Sequence, residues 1–97
     1  MLNQTKVLIT DSDIRVLHKF KQVLTNNGYE VFRASTVPKI LLLLKFYSFD
    51  LIVLDVTIPK LDFLKIIESI KRTNPHTAIV TSNDAAHYDD AMETLKN

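Results

Sequence analysis

Asp50-Leu51-Ile52-Val53-Leu54-Asp55 decides the fold of this chain, and the rest of the sequence can be read outward from it. A run of β-branched and leucine residues bounded by carboxylates is the pattern of a strand buried on both faces, as in a parallel sheet covered by helices on each side. The strand predicted over 50–54 therefore ends at Asp55, before Val56-Thr57-Ile58-Pro59. A second apolar run, Val7-Leu8-Ile9-Thr10, ends in the same way at Asp11-Ser12-Asp13. Two acidic clusters thus converge on the carboxyl edge of one sheet, which is where ligands bind in open α/β folds. That convergence points to a site rather than to ordinary strand ends.

The flanking segments alternate between helix and strand. Strand one runs from Lys6 to Thr10. Ile14, Leu17, Phe20, Val23 and Leu24 then recur at three- and four-residue spacing as one apolar face. Asn26-Asn27-Gly28 closes that helix, Gly28 being the only glycine and suited to a left-handed helix end. A short strand follows over Glu30 to Arg33. Pro38 suits a first helical turn, so Ile40 to Phe46 is the second helix, with Ile40, Leu41 and Leu44 toward the core and Leu42 and Phe46 outward. The third helix starts after Pro59 with Asp62 as its cap and Leu64, Ile67 and Ile70 on its core face. Pro75 falls beyond it, Ala78 to Thr81 is a fourth strand, and Asp84 to Lys96 is a last helix. This alternation with right-handed crossovers gives a doubly wound parallel α/β sheet.

Composition sets the outer limits. Ninety-seven residues at 46% hydrophobic content bury one core, so a single domain spans residues 1–97. Twelve basic residues against eleven acidic ones give a net charge of +1, with no basic run or basic-aromatic interleaving to favour nucleic acid. The absence of cysteine removes disulfides and thiolate metal sites. The start Met1-Leu2-Asn3-Gln4 has no signal-peptide pattern, and Ile40 to Leu44 is far too short to span a bilayer, so a cytoplasmic location off the membrane is expected. His18, His76 and His87 have no metal-ligand spacing. There is no glycine-rich phosphate loop and no serine, histidine and acid set at nucleophilic spacing, which argues against a metabolic enzyme.

At Val7 to Asp13, Gly28-Tyr29-Glu30-Val31, and Asp50 to Asp55 followed by Pro59 and Asp62, the chain resembles the receiver domain of two-component response regulators. The resemblance covers nearly the whole chain and rests on the order and spacing of these segments rather than on any one motif. It implies a flavodoxin-like fold with strand order 2-1-3-4. It also implies that Asp55 accepts a phosphoryl group from a histidine kinase or phosphotransfer protein. The domain would then be a signalling module and not an enzyme, with at most self-phosphorylation from small phosphodonors. Magnesium is implied in the acidic pocket, held by Asp11, Asp55 and the backbone carbonyl of Thr57. A divalent cation is what lets an anionic nucleophile meet an anionic phosphoryl donor.

The chain also departs from the family pattern. Ser12 stands where a second carboxylate is usual and offers only a neutral oxygen, so weak magnesium binding is expected. Asp13 either shifts inward to replace that charge or caps the first helix. The hydroxyl expected at the end of strand four falls on Thr81, with Ser82 as the alternative. Phe63 replaces a glycine common after the position of Asp62, where it fills space or crowds the turn. The fifth strand, with its lysine and switch aromatic, and the fifth helix are expected after Asn97, where the sequence given stops. Lys96 is no substitute by position. A domain truncated before that unit would have an open fourth-strand edge and would associate as a homodimer or higher assembly. The competing reading is a phosphorylation-independent pseudo-receiver that acts as an interaction or dimerisation module.

Overall fold

The computed structural model describes residues 4–81. The elements run in the order β1 (Lys6–Thr10), α1 (Ile14–Asn26), β2 (Glu30–Ala34), α2 (Val37–Phe46), β3 (Leu51–Leu54), α3 (Phe63–Thr73) and β4 (Ala78–Thr81). The four strands form one parallel sheet in the order β2-β1-β3-β4, as the doubly wound reading expects. The helix expected over Asp84 to Lys96, and Ser82, lie outside the described residues.

The alternation of side chains along the central strands builds two layers. Leu8, Ile52 and Leu54 face α2 and α3, packing with Ile40, Leu43, Ile66 and Ile70. Val7, Ile9, Leu51 and Val53 face α1 and meet Leu17, Phe20 and Leu24. All four residues of β3 are buried, which is why its sequence is continuously apolar instead of alternating.

Each of the three described helices begins on a side-chain cap. Asp13 accepts from the Arg15 N–H at 2.9 Å, Thr36 from the Lys39 N–H at 3.4 Å, and Asp62 from the Lys65 N–H at 3.1 Å. At the end of α1, Gly28 has φ +87° while its N–H and those of Asn27 and Tyr29 return to the carbonyls of Thr25 and Leu24.

The packing corrects three face assignments. In α2 the helix starts one turn earlier than Ile40, so its buried stripe is Val37, Ile40, Leu43 and Leu44, and Leu41 is 51% exposed. In α3 the stripe runs through Phe63, Ile66, Ile67 and Ile70, and Leu64 is 74% exposed. Those four positions are spaced i, i+3, i+4, i+7, the apolar period of an amphipathic helix. Phe63 therefore fills space against the core rather than crowding the turn. Ile14, in the first turn of α1, is exposed and not part of the core face. Leu42 and Phe46 are outward, as expected.

Two boundaries also move. β2 extends to Ala34. β3 begins at Leu51, because Asp50 is engaged with the neighbouring strands. Its Oδ2 accepts the Lys6 N–H at 2.8 Å, its N–H donates to the Lys6 carbonyl at 2.8 Å, and its carbonyl accepts the Ala78 N–H at 3.1 Å. One residue ties the amino ends of β1, β3 and β4 together.

Candidate functional site

The carboxyl edge of the sheet gathers Thr10, Asp11, Ser12, Asp55 and Thr57. Asp55 is fully buried, and Asp11 nearly so. Asp55 directly follows β3, and its carboxylate is oriented by three donors. Oδ1 accepts the Thr57 N–H at 2.8 Å and the Thr57 hydroxyl at 2.6 Å, and Oδ2 accepts the Ser12 N–H at 3.1 Å. Bonds from neutral donors to an ionised oxygen are stronger than neutral pairs, so the carboxylate has one preferred plane.

Asp11 directly follows β1. Its N–H donates to the Ala34 carbonyl at 3.2 Å, and its Oδ1 accepts the Asp13 N–H at 2.7 Å. Burial pushes the Asp11 carboxyl above the ordinary carboxylate range. The Asp13 N–H pulls it back down, while the charge of Asp55, that of Asp13, and a hydrogen bond to Asp55 raise it. Two buried carboxyls that repel each other form a pocket in which a cation relieves the conflict.

Among the described residues no set of three acidic or histidine side chains converges as a metal site, so the charged share available to a magnesium ion is two, Asp11 and Asp55. Two carboxylates with neutral oxygens and waters making up the octahedron suit magnesium, which gives up its hydration reluctantly. The residues present therefore fit that ion.

The other residues named from sequence fall as follows. Asp13 is the α1 cap and pairs with Arg15 at 3.2 Å. Ser12 is exposed and reaches Asp55 through its main chain. Thr57 is exposed, two residues beyond the buried Asp55. Thr81 ends β4 and is paired in register with Leu54, one residue before Asp55, so it stands on the same edge. Two contributions escaped the sequence reading: the Thr57 hydroxyl, considered only for its carbonyl, and Thr10. The available signal for Thr10 was a hydroxyl residue closing an otherwise aliphatic buried strand.

The loop leaving the site contains a backbone signature that sequence reading also passed over. The Leu61 N–H returns to the Ile58 carbonyl at 3.2 Å, and Lys60 has φ +65°. Proline at the second position and a positive φ at the third is the pattern of a type II turn, where glycine is the unstrained choice. This turn carries the chain from Asp55 to the α3 cap.

The fold and the acidic edge together define a parallel α/β domain with a buried aspartate at the carboxyl end of its central strand. The chain belongs to the response regulator receiver domain family, whose model matches residues 7–97. These are signalling domains of two-component systems rather than metabolic enzymes. The chain is 26% identical over 93 residues to the alginate biosynthesis transcriptional regulatory protein AlgB of Pseudomonas aeruginosa, covering 96% of this chain and 21% of that protein. It thus spans about a fifth of that relative's length. The CheY-like receiver domain protein of Methanospirillum hungatei superposes with a TM-score of 0.80 at 21% identity, over 97% of this chain and 92% of that one. A response regulator of Burkholderia pseudomallei, solved with a phosphorylated aspartic acid, calcium and citrate, superposes at 0.73 with 20% identity, over 80% of this chain and 46% of that one. Among the described residues no helix is long and apolar enough to cross a membrane.

Proposed function

We propose that this domain receives a phosphoryl group on Asp55 from the phosphohistidine of a kinase or phosphotransfer protein, with magnesium held at Asp11 and Asp55. The observation that carries the reading is the buried Asp55 carboxylate at the end of β3, beside an Asp11 whose charged form is disfavoured. An Asp55 oxygen attacks phosphorus, the P–N bond breaks, and its electron pair goes to the imidazole nitrogen, which takes up a proton from solvent. The product is an acyl phosphate on Asp55. Thr57 and the Ser12 N–H hold the attacking carboxylate in its plane. Thr81, at the end of the neighbouring strand, is the hydroxyl donor this reading assigns to a phosphoryl oxygen. Magnesium, when bound, neutralises charge on the phosphoryl oxygens.

Ser12 gives this pocket one carboxylate fewer than the family pattern, so affinity for the ion is weak. The phosphorylated aspartic acid and calcium of the Burkholderia pseudomallei relative support the chemistry for this fold. Location in the cytoplasm, where kinase and phosphodonor reside, belongs to the same reading. Incubation with acetyl phosphate and magnesium followed by intact-mass measurement tests it. Addition of a single phosphoryl mass, suppressed by a chelator, is the expected result. No added mass across a wide range of magnesium and donor concentrations would defeat it.

A second reading draws on a different surface. Leu41, Leu42, Phe46 and Tyr47 are exposed together at the carboxyl-terminal half of α2, a patch suited to association between copies or with another protein independently of phosphorylation. Sedimentation of unphosphorylated protein, with Phe46→Ser as control, separates the two.

A further inference from the structure

Main-chain pairing between β1 and β3 runs from Val7 opposite Leu51 to Ile9 opposite Val53 and then stops. The next residue, Thr10, is buried and continues the connection through its side chain. Its Oγ1 donates to the Val53 carbonyl at 2.9 Å and accepts the Asp55 N–H at 2.9 Å. A hydroxyl has a single proton, so with that proton committed to the carbonyl its lone pair faces the amide in one orientation. The two main-chain groups flank Leu54, the last residue of β3.

The same residue is covalently joined to Asp11. Thr10 thus sits on both arms of the site: through its backbone it leads into Asp11 and Ser12, and through its hydroxyl it holds the start of Asp55. The Ser12 contact to Asp55 Oδ2, at 3.1 Å, closes the third side of that arrangement. An aliphatic residue would fill the space but leave the buried Asp55 N–H without the partner that Thr10 gives it. A burial cost of that kind explains why a hydroxyl residue ends a strand that is otherwise Val7-Leu8-Ile9.

We infer that Thr10 is a positioning residue for phosphoryl transfer, its hydroxyl fixing Asp55 relative to Asp11. The inference rests on the proposed role of Asp55 and goes beyond it by placing the control of that geometry in β1. The opposite edge of the sheet supplies a built-in control. Thr77 is also buried, and its hydroxyl donates to the Phe49 carbonyl at 2.6 Å, at the far end of β3 from the site carboxylates.

The experiment compares wild type, Thr10→Val, Thr10→Ser and Thr77→Val, all well below their melting temperatures. It reads the phosphorylation rate from acetyl phosphate at saturating magnesium and donor, and the hydrogen exchange of the Asp55 amide by NMR. Misplacing a nucleophile by a fraction of an ångström to an ångström costs up to about a hundredfold, so Thr10→Val should lower the maximal rate roughly ten- to a hundredfold. Thr10→Ser and Thr77→Val should each stay within about threefold of wild type, since one keeps the hydroxyl and the other leaves the site untouched. The Asp55 amide should exchange slowly in wild type and Thr10→Ser, and faster in Thr10→Val only. Should Thr10→Val not fold, Thr10→Cys, whose thiol is a weak donor and acceptor, takes its place. A Thr10→Val protein phosphorylated like wild type, or one slowed no more than Thr77→Val, overturns the inference. If wild type itself takes up no phosphoryl group, the proposed function fails, and the inference stands or falls on the Asp55 amide alone.

Discussion

The two ends of β3 carry the same residue types and use them in opposite ways. At the amino end Asp50 is exposed and bonds to the backbone of Lys6, while buried Thr77 bonds to the Phe49 carbonyl. At the carboxyl end Asp55 is fully buried, buried Thr10 bonds to its N–H, and a second buried carboxylate, Asp11, stands beside it. In the first case an aspartate stitches strands together and its charge stays in water. In the second the charge is withdrawn from water and set against another of the same sign. An arrangement that costs stability persists where something other than stability is gained, which marks the carboxyl edge as the candidate site and the amino edge as scaffold.

The largest expected effect separates the two edges through Asp11. The Asp11→Asn variant should lose at least about tenfold in magnesium affinity and in phosphorylation rate, since it removes one of the two carboxylates proposed to hold the ion. It should also be more stable than wild type at neutral pH. In the folded protein the Asp11 carboxyl is raised above its ordinary value of 3.8, so the native state holds its proton after the unfolded chain has released it. Stability is therefore highest below the ordinary value, falls as pH rises through the raised one, and remains lower above it. Asn removes that loss. Thermal melts of both proteins across the acid range should show the difference opening as pH rises, and a variant less stable than wild type at pH 7 would break the contrast between the edges. Asp50→Asn, by comparison, should lose about 1 kcal/mol of stability in denaturant melts and leave magnesium binding unchanged.

Ser12→Asp sharpens the account of the acidic edge. Restoring a carboxylate should tighten magnesium binding by about tenfold, or about 1.4 kcal/mol, because affinity at such sites follows ligand charge. Isothermal titration of the two proteins is the check; coincident curves would show that the residue at position 12 does not set the affinity. The smallest effect lies in the loop. Lys60→Gly relieves a left-handed backbone and should add about 1 kcal/mol to stability by urea melt, with no change in phosphorylation rate. A loss of stability would mean that the Lys60 side chain makes a compensating contribution.

The sheet and both acidic strand ends were legible because they depend on periodicity and on order along the chain. Leu51 to Leu54 is apolar at every position, a pattern that only a strand covered on both faces requires, and the crossovers follow from the helices between the strands. Helix faces were less legible. Both Leu41 and Leu43 in α2, and both Leu64 and Ile66 in α3, are apolar, and only the position of the first turn decides which of each pair turns inward. Phe63 shows the difficulty most directly, since as a substitute for a turn glycine it reads as a blemish, whereas as the first residue of the α3 stripe it is core. Within the site, the charges of Asp11 and Asp55 announce themselves. The neutral groups that hold them, Thr10 and the Thr57 hydroxyl, do not, because a threonine at a strand end has ordinary β propensity and its partners are main-chain or carboxylate atoms set by tertiary structure.

The central claim is that the buried end of β3, and not its exposed end, accepts the phosphoryl group. The direct measurement is intact mass, with peptide mapping, after acetyl phosphate and magnesium treatment of wild type, Asp55→Asn and Asp50→Asn. The account predicts one phosphoryl group on wild type and on Asp50→Asn and none on Asp55→Asn, with circular dichroism showing all three folded. A folded Asp55→Asn protein that still gains the mass would contradict it.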